Sequence, residues 1–119
     1  MRDLVLTEHA RRDLAAILTH SATSFGGEAR RRYEVLIGIA LRNLQDDPQR
    51  LGSRGRPKLG DNLRTYHLRS RRTKANQQGA RVADPRHLLA YQFDAARVTV
   101  LRVLHDAMDL NRQMPTDHT

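Results

Sequence analysis

The chain has 119 residues, of which 39% are hydrophobic and 4% aromatic. This length corresponds to one domain, and the scarcity of aromatic residues predicts a mainly aliphatic core. The absence of cysteine excludes a disulfide framework, a thiol nucleophile and a cysteine metal cluster. The apolar start turns polar at Thr7, too early for a signal peptide, and no stretch approaches the ~20 apolar residues of a membrane span. We therefore expect a cytoplasmic protein.

The charge is strongly basic, with 21 Lys and Arg against 13 Asp and Glu, a net charge of +8 and a pI near 11.1. Between Arg50 and Arg86 only two aspartates, Asp61 and Asp84, accompany the basic residues. Those basic residues are Arg50, Arg54, Arg56, Lys58, Arg64, Arg69, Arg71, Arg72, Lys74, Arg81 and Arg86. Such clustering indicates an acidic partner, namely nucleic acid, a membrane surface or an acidic protein. A merely solvated basic loop is an equally good interpretation.

The N-terminal half predicts a strand followed by two helices. The strand covers residues 3–6, and Thr7 is suited to cap the helix that follows. The paired glycines that end the segment 21–27 predict a turn, and Asp47 must leave helical geometry because proline follows it. Apolar residues recur at helical spacing on both sides of the turn: Ala10, Leu14, Ile17 and Leu18 in the first helix, and Ala29, Tyr33, Leu36, Ile37, Ala40, Leu41 and Leu44 in the second. Together they predict a helical hairpin.

The middle of the chain is basic and mostly without apolar periodicity. The glycine-rich segment 49–60 is expected to lack regular structure. Residues 63–69 (LRTYHLR) predict a strand with Tyr66 and Thr65 on opposite faces. Residues 70–84 are polar and charged, so we expect a long, mobile basic loop, a feature that is usually functional or disordered.

Two runs rich in β-branched and aromatic residues, 86–94 and 98–105, predict a β-hairpin. If Asp94 faces Arg97, strict alternation places Tyr91 opposite Val100, Leu89 opposite Arg102 and His87 opposite Leu104. Tyr91, Phe93, Val98 and Val100 would then form one packed face. The last helix is expected to start at an Asp106 N-cap supported by Asp109 and to end at Pro115.

These elements predict an α+β fold with the order β-α-α-β-β-β-α, in which a helical hairpin packs on a small, mostly antiparallel sheet. The predicted domain spans residues 1–115, with residues 70–84 as its flexible loop, and residues 116–119 form a polar tail.

Three kinds of chemistry can be weighed from the residues. His67, His87 and His105 could approach one another, but no carboxylate stands at ligand spacing beside them, which disfavours a metal site. A ribonuclease needs acid, base and cationic groups, and the candidates Arg64, His67, Arg86, His87, Arg102 and His105 are split across the sheet by alternation. In that alternation His87 and Arg102 share one face, and Arg86 and His105 share the other. No nucleotide-binding loop is present, and we expect no cofactor, metal or catalytic residue.

The helical hairpin, the strand LRTYHLR, the strand PRHLLAYQF and the closing VLRVLHDAMDL resemble the ParE branch of the RelE/ParE toxin superfamily. The resemblance runs from about Leu4 to Pro115 and is most specific from Arg86 to Asp109. It implies a RelE-like fold, the toxin role in a type II toxin–antitoxin system, and neutralisation by a ParD-like antitoxin with an acidic, partly disordered segment. Such a segment would suit the basic charge of the chain.

The resemblance also indicates which function should be considered first. RelE-like members cut messenger RNA with arginines and a late tyrosine or histidine, whereas Leu88 occupies the matching arginine position here and no tyrosine follows Tyr91. ParE-like members resemble inhibitors of DNA gyrase that act by binding. A gyrase-inhibiting toxin is therefore the leading hypothesis. A RelE-like endoribonuclease and a non-toxic nucleic-acid-binding module are the alternatives.

The residues expected to contact a partner are the polar and exposed ones that packing explains least. An arginine inside a β-hairpin is costly unless it is paired or exposed, and it often contacts a carboxylate. For Arg102 that carboxylate would come from Asp109 or from the antitoxin. The predicted partner-binding set is Arg86, Arg102, His105, Met108 and Asp109.

Overall fold

The computed structural model describes residues 1–71 and 85–114. Its elements, in chain order, are β1 (Asp3–Leu6), α1 (Glu8–Phe25), α2 (Gly27–Asp46), β2 (Ser53–Gly55), β3 (Leu63–His67), a 3-10 helix (Leu68–Arg71), β4 (His87–Phe93), β5 (Arg97–His105) and α3 (Leu110–Gln113). The predicted α+β fold class is confirmed. The predictions for residues 72–84 and for residues 115–119, which include Pro115 and the tail, lie outside the described residues.

Within the described residues the strands form one five-stranded sheet in the order β1-β5-β4-β3-β2. β1 runs parallel to β5, and every other pair is antiparallel, which confirms the mostly antiparallel sheet. The prediction that segment 49–60 lacks regular structure is wrong for β2. Its three residues carry no apolar alternation and are held by pairing with β3, where Arg64 Nη2 also donates to Ser53 Oγ at 2.8 Å.

The two long helices form the predicted helical hairpin. Thr7 caps α1 by accepting a hydrogen bond from the Ala10 N–H at 3.1 Å, and α2 ends before Asp47, as predicted. The turn is much shorter than segment 21–27, because α1 continues to Phe25 and Gly26 alone joins the helices at φ +94°. Glycine tolerates this conformation without strain. The helical hairpin is therefore longer than its apolar periodicity indicated.

The sheet buries side chains on both faces. The helical hairpin covers one face, where the expected set Tyr91, Val98 and Val100 is buried and Phe93 packs against it. A smaller cluster on the other face includes Leu101 from β5 and Met114 beyond α3. We call these the helix face and the open face.

Two boundaries differ from the predictions. β3 ends at His67, and Leu68–Arg71 form a 3-10 helix instead of the end of a strand. α3 begins at Leu110, and the Asp109 carbonyl accepts its first hydrogen bonds, so the prediction of an Asp106 N-cap is wrong. Among the described residues, no helix combines the length and the hydrophobicity needed to cross a membrane.

A β-bulge shifts the register of the β4–β5 hairpin. Tyr91 pairs with Val100 as predicted, but the next residue of β4, Ala90, pairs with Arg102. Leu101 is therefore an extra residue in β5. The predicted pairs of Leu89 with Arg102 and of His87 with Leu104 are wrong, since every later partner moves by one residue.

Candidate functional site

The bulge brings His87 and His105 together. The two residues are register partners, with ring centroids 5.4 Å apart in an edge-to-face arrangement. The Tyr33 hydroxyl of α2 lies 2.7 Å from His87 Nδ1 on the helix face. Burial, followed by the nearby His105, lowers the pKa of His87 to about 4. His87 is therefore neutral near pH 7, and its place between Tyr33 and His105 is explained by packing.

Asp106 lies where β5 ends and contacts His67 and Arg86, with His105 nearby. Its carboxylate lies 3.0 Å from His67 Nε2, 3.2 Å from Arg86 Nη2 and 3.6 Å from His105 Nδ1. The His67 hydrogen bond and the charge of Arg86 lower the pKa of Asp106, despite partial desolvation. Asp106 was not identified from the sequence as a neighbour of these histidines. Even so, no group of three or more His, Asp or Glu side chains within residues 1–71 and 85–114 could hold a metal ion.

Arg102 has a carboxylate partner within the chain. Its Nε and Nη2 donate to the two Asp13 carboxylate oxygens at 2.8 and 3.0 Å, and its Nη1 donates to the Gln113 carbonyl at 2.8 Å. Asp13 also accepts the Val103 backbone N–H at 2.9 Å. The expected partner Asp109 instead lies 3.8 Å from Arg112. Arg102 therefore joins α1, β5 and α3 at the edge of the sheet.

The other predicted contact residues lie close together at the open end of the β4–β5 hairpin. The Asp106 N–H donates to the Arg86 carbonyl, and the Met108 N–H donates to the His105 carbonyl. Met108 is 47% exposed, and the side chains of Arg86, His105 and Asp109 are also substantially exposed. We call Arg86, His105, Met108 and Asp109 the hairpin corner.

A groove of about 670 Å³ lies beside the hairpin corner and was not identified from the sequence. Thr65, His67 and Leu88 form its floor on the open face of the sheet, and Asp106 lies at one end. Arginines from four separate segments surround it: Arg54, Arg56, Arg69 and Arg86. We call it the basic groove. The only sequence signal for it was the excess of basic residues between Arg50 and Arg86.

The structure separates the ribonuclease candidates only in part and not as alternation predicted, since His67, Arg86 and His105 all lie within 3.6 Å of the Asp106 carboxylate. His67 and Arg86 line the basic groove, whereas His87 contacts Tyr33 on the helix face and His105 stacks on His87. Arg64 donates a hydrogen bond to Ser53, and Arg102 donates to the Asp13 carboxylate. The bulge accounts for the change in β5, because one extra residue reverses the alternation beyond it.

Comparisons with known proteins agree with the fold and extend beyond it. No curated protein matches the sequence. A chain of a solved structure described as a chromosomal ParDE toxin–antitoxin system from P. aeruginosa has the same fold, with a TM-score of 0.62, 20% sequence identity, and coverage of 88% of this chain and 96% of that chain. The family model described as ParE toxin of type II toxin–antitoxin system, parDE, matches residues 4–110. The chain therefore belongs to the ParE toxin family of type II toxin–antitoxin systems.

Proposed function

We propose that this ParE-family chain inhibits DNA gyrase by binding it, without catalysis, and that a ParD-like antitoxin neutralises it in the bacterial cytoplasm. The observation that carries the proposal is the family match over residues 4–110. The net charge of +8 supports an acidic, partly disordered antitoxin segment, because such a segment can fold onto a large basic surface.

The hairpin corner is the surface that we propose for partner contact. It combines an exposed apolar side chain, Met108, with exposed polar groups, a composition that suits a binding surface. Arg102 belongs to the proposed set as a positioning residue, because its bonds to Asp13 and Gln113 fix α3, which follows the corner.

Induced expression in a bacterial host tests the function. We expect growth arrest with a DNA damage response, relieved by co-expression of the small acidic protein encoded beside the toxin gene. Purified protein should inhibit gyrase supercoiling at micromolar concentration. Unchanged supercoiling together with rapid decay of messenger RNA would contradict the proposal.

A matched pair of variants tests the hairpin corner. Met108→Glu places a charge in the proposed contact surface, whereas Phe25→Glu places the same charge at the tip of the helical hairpin, where Phe25 is 74% exposed. Only Met108→Glu should weaken antitoxin binding or gyrase inhibition, by about tenfold or more if Met108 is a central contact. Equal effects of both variants would remove the corner from the proposal.

One observation favours a second candidate, an endoribonuclease. His67 and Arg86 lie together in the basic groove beside Asp106, so a titratable group stands among cations that could face a phosphate. His67→Ala should then abolish ribosome-dependent cleavage of messenger RNA. Gyrase inhibition that survives in His67→Ala would support the first proposal.

A further inference from the structure

The described lining of the basic groove is rich in positive charge. Among the described residues that line it, four arginines accompany one carboxylate, Asp106, which contacts His67 and Arg86. In the part of the chain that the structure describes, no carboxylate pairs with Arg54, Arg56 or Arg69. Because like charges this close repel one another, an anion bound among them would relieve an unfavourable arrangement.

Arg56 shows this imbalance at a single residue. Its Nε donates to Thr65 Oγ1 at 3.0 Å, which directs the guanidinium over the floor of the groove. Burial and the neighbouring charge of Arg54 lower its pKa, and both effects disfavour the charged form. Thr65 is 4% exposed and supplies no charge, so no described carboxylate balances this partly desolvated cation.

The composition of the groove indicates which kind of anion it would bind. Peptide segments dock through apolar anchors, by adding a strand, or through acidic motifs that pair with arginine clusters. None of the large exposed hydrophobic residues lines the groove; these are Met1, Val5, Phe25, Leu51 and Met108. Arginine guanidinium groups match phosphate oxygens in geometry as well as charge. The arginines come from β2, the loop after it, the 3-10 helix and the residue before β4, so their contacts suit successive phosphates of a strand.

We propose that the basic groove binds the phosphodiester backbone of a single-stranded nucleic acid. No Phe, Tyr or Trp side chain is among the described residues that line the groove, so we expect binding through the backbone with little preference for base sequence. The affinity rests on phosphate contacts and falls steeply with salt. This inference concerns direct binding by the toxin alone and stands apart from gyrase inhibition.

Fluorescence anisotropy of the full chain with labelled dT12 and dA12 tests the proposal. DNA is chosen because it lacks the 2′-hydroxyl and so separates binding from any ribonuclease activity. The groove variant Arg54→Gln/Arg69→Gln removes two exposed arginines. The control Arg12→Gln/Arg30→Gln removes the same charge from the helical hairpin, where both arginines are exposed. Circular dichroism establishes that both variants fold.

Four phosphate contacts predict a slope of log K against log salt of about −3, which is roughly a fiftyfold loss of affinity between 50 and 200 mM salt. The groove variant should bind at least about tenfold more weakly at 50 mM salt, and it should lose only about sevenfold over the same range. The control variant should keep the slope of the natural chain, and dT12 and dA12 should bind alike.

Three outcomes would overturn the proposal. Equal weakening in both variants would mean that net charge alone attracts the oligonucleotide. Displacement of dT12 by an equimolar twelve-residue polyglutamate would assign the groove to an acidic protein segment. Displacement by millimolar inorganic phosphate would assign it to an isolated phosphate. Retention of dT12 against both competitors, with the predicted difference between the variants, would establish the strand as the ligand.

Discussion

The contact most open to a quantitative test is the ion pair between Asp13 and Arg102. Asp13 accepts two charged hydrogen bonds from Arg102 and the Val103 backbone N–H, and both side chains of the ion pair are only 17% exposed. The charge of Asp13 and its hydrogen bond raise the pKa of Arg102. Asp13→Ala would leave a partly buried arginine with only the Gln113 carbonyl and would orphan the Val103 N–H.

We expect Asp13→Ala to lower the free energy of unfolding by about 3 kcal/mol. Breaking a buried pair by removing one partner costs about 3–5 kcal/mol, and the remaining exposure places this pair at the lower end of that range. Since small domains are stable by only about 5–15 kcal/mol, the loss should be conspicuous. Urea denaturation followed by circular dichroism measures it.

The matched control is Glu34→Ala, which breaks a half-exposed pair with Arg30 and should cost about 0.5 kcal/mol or less. A double-mutant cycle of Asp13→Ala with Arg102→Met then isolates the pair, and we expect a coupling free energy of about 2 kcal/mol. A loss below 1 kcal/mol in Asp13→Ala, or a coupling energy near zero, would refute this account of the sheet edge.

Three further predictions concern single side chains. Gly52→Ala should lower the free energy of unfolding by about 2 kcal/mol in urea denaturation, because φ is +98° and neighbouring atoms lie within 3.3 Å of the added Cβ. The control Gly27→Ala adds its Cβ in open space and should not destabilise the fold. The folded chain holds His87 at a pKa of about 4 against an ordinary 6.5, so it binds fewer protons than the unfolded chain between those values, and stability falls as the pH falls through that window. After allowance for solvent screening, we expect this effect to lower the free energy of unfolding of the natural chain by about 2 kcal/mol between pH 7 and pH 4.5. Unfolding measured at both pH values should show that His87→Gln loses about 2 kcal/mol less than the natural chain does. Tyr91→Phe removes the buried hydrogen bond to the Pro48 carbonyl and should lower the thermal midpoint, with a cost of about 1–2 kcal/mol, and an unchanged midpoint would contradict this role.

The elements predicted correctly are those in which one local signal suffices. The apolar stripe of α2, the Thr7 cap and the stop at Asp47 each depend on residues within a few positions. β2 escaped prediction because its three residues are defined by pairing with β3 across a loop. The extra length of α1 also escaped prediction, because the last residues of the helix are exposed and carry no apolar pattern.

The register of β5 illustrates a different limit. In β5, Val100 and Val103 lie on the helix face, and Leu101 and Leu104 lie on the open face. Both faces of the strand therefore carry apolar side chains. Alternation reveals a one-residue slip only when one face is polar. In this strand the apolar pattern of a bulged hairpin is the same as that of a regular one, and nothing local signals the extra residue.

Contacts between residues far apart in sequence explain why features of the candidate site were not predicted. Arg102 was correctly expected to need a carboxylate, but Asp13 stands 89 positions earlier on a helix where an aspartate is unremarkable. The basic groove has the same origin, because its arginines come from four segments and only the pairing of β2, β3 and β4 brings them to one face. Composition therefore indicated the excess of positive charge, while its concentration in one groove depended on the topology.

The two faces of the sheet place histidine and arginine in different environments. On the helix face His87 is desolvated and neutral, so it packs against Tyr33 and His105 as an aromatic side chain would. On the open face His67 lies 3.0 Å from the Asp106 carboxylate, in a groove lined with arginines. By shifting the register of β5 by one residue, the bulge pairs His105 with His87 and leaves Asp106 at the strand end beside His67 and Arg86. One inserted residue thus determines which titratable groups pack on the helix face and which line the basic groove.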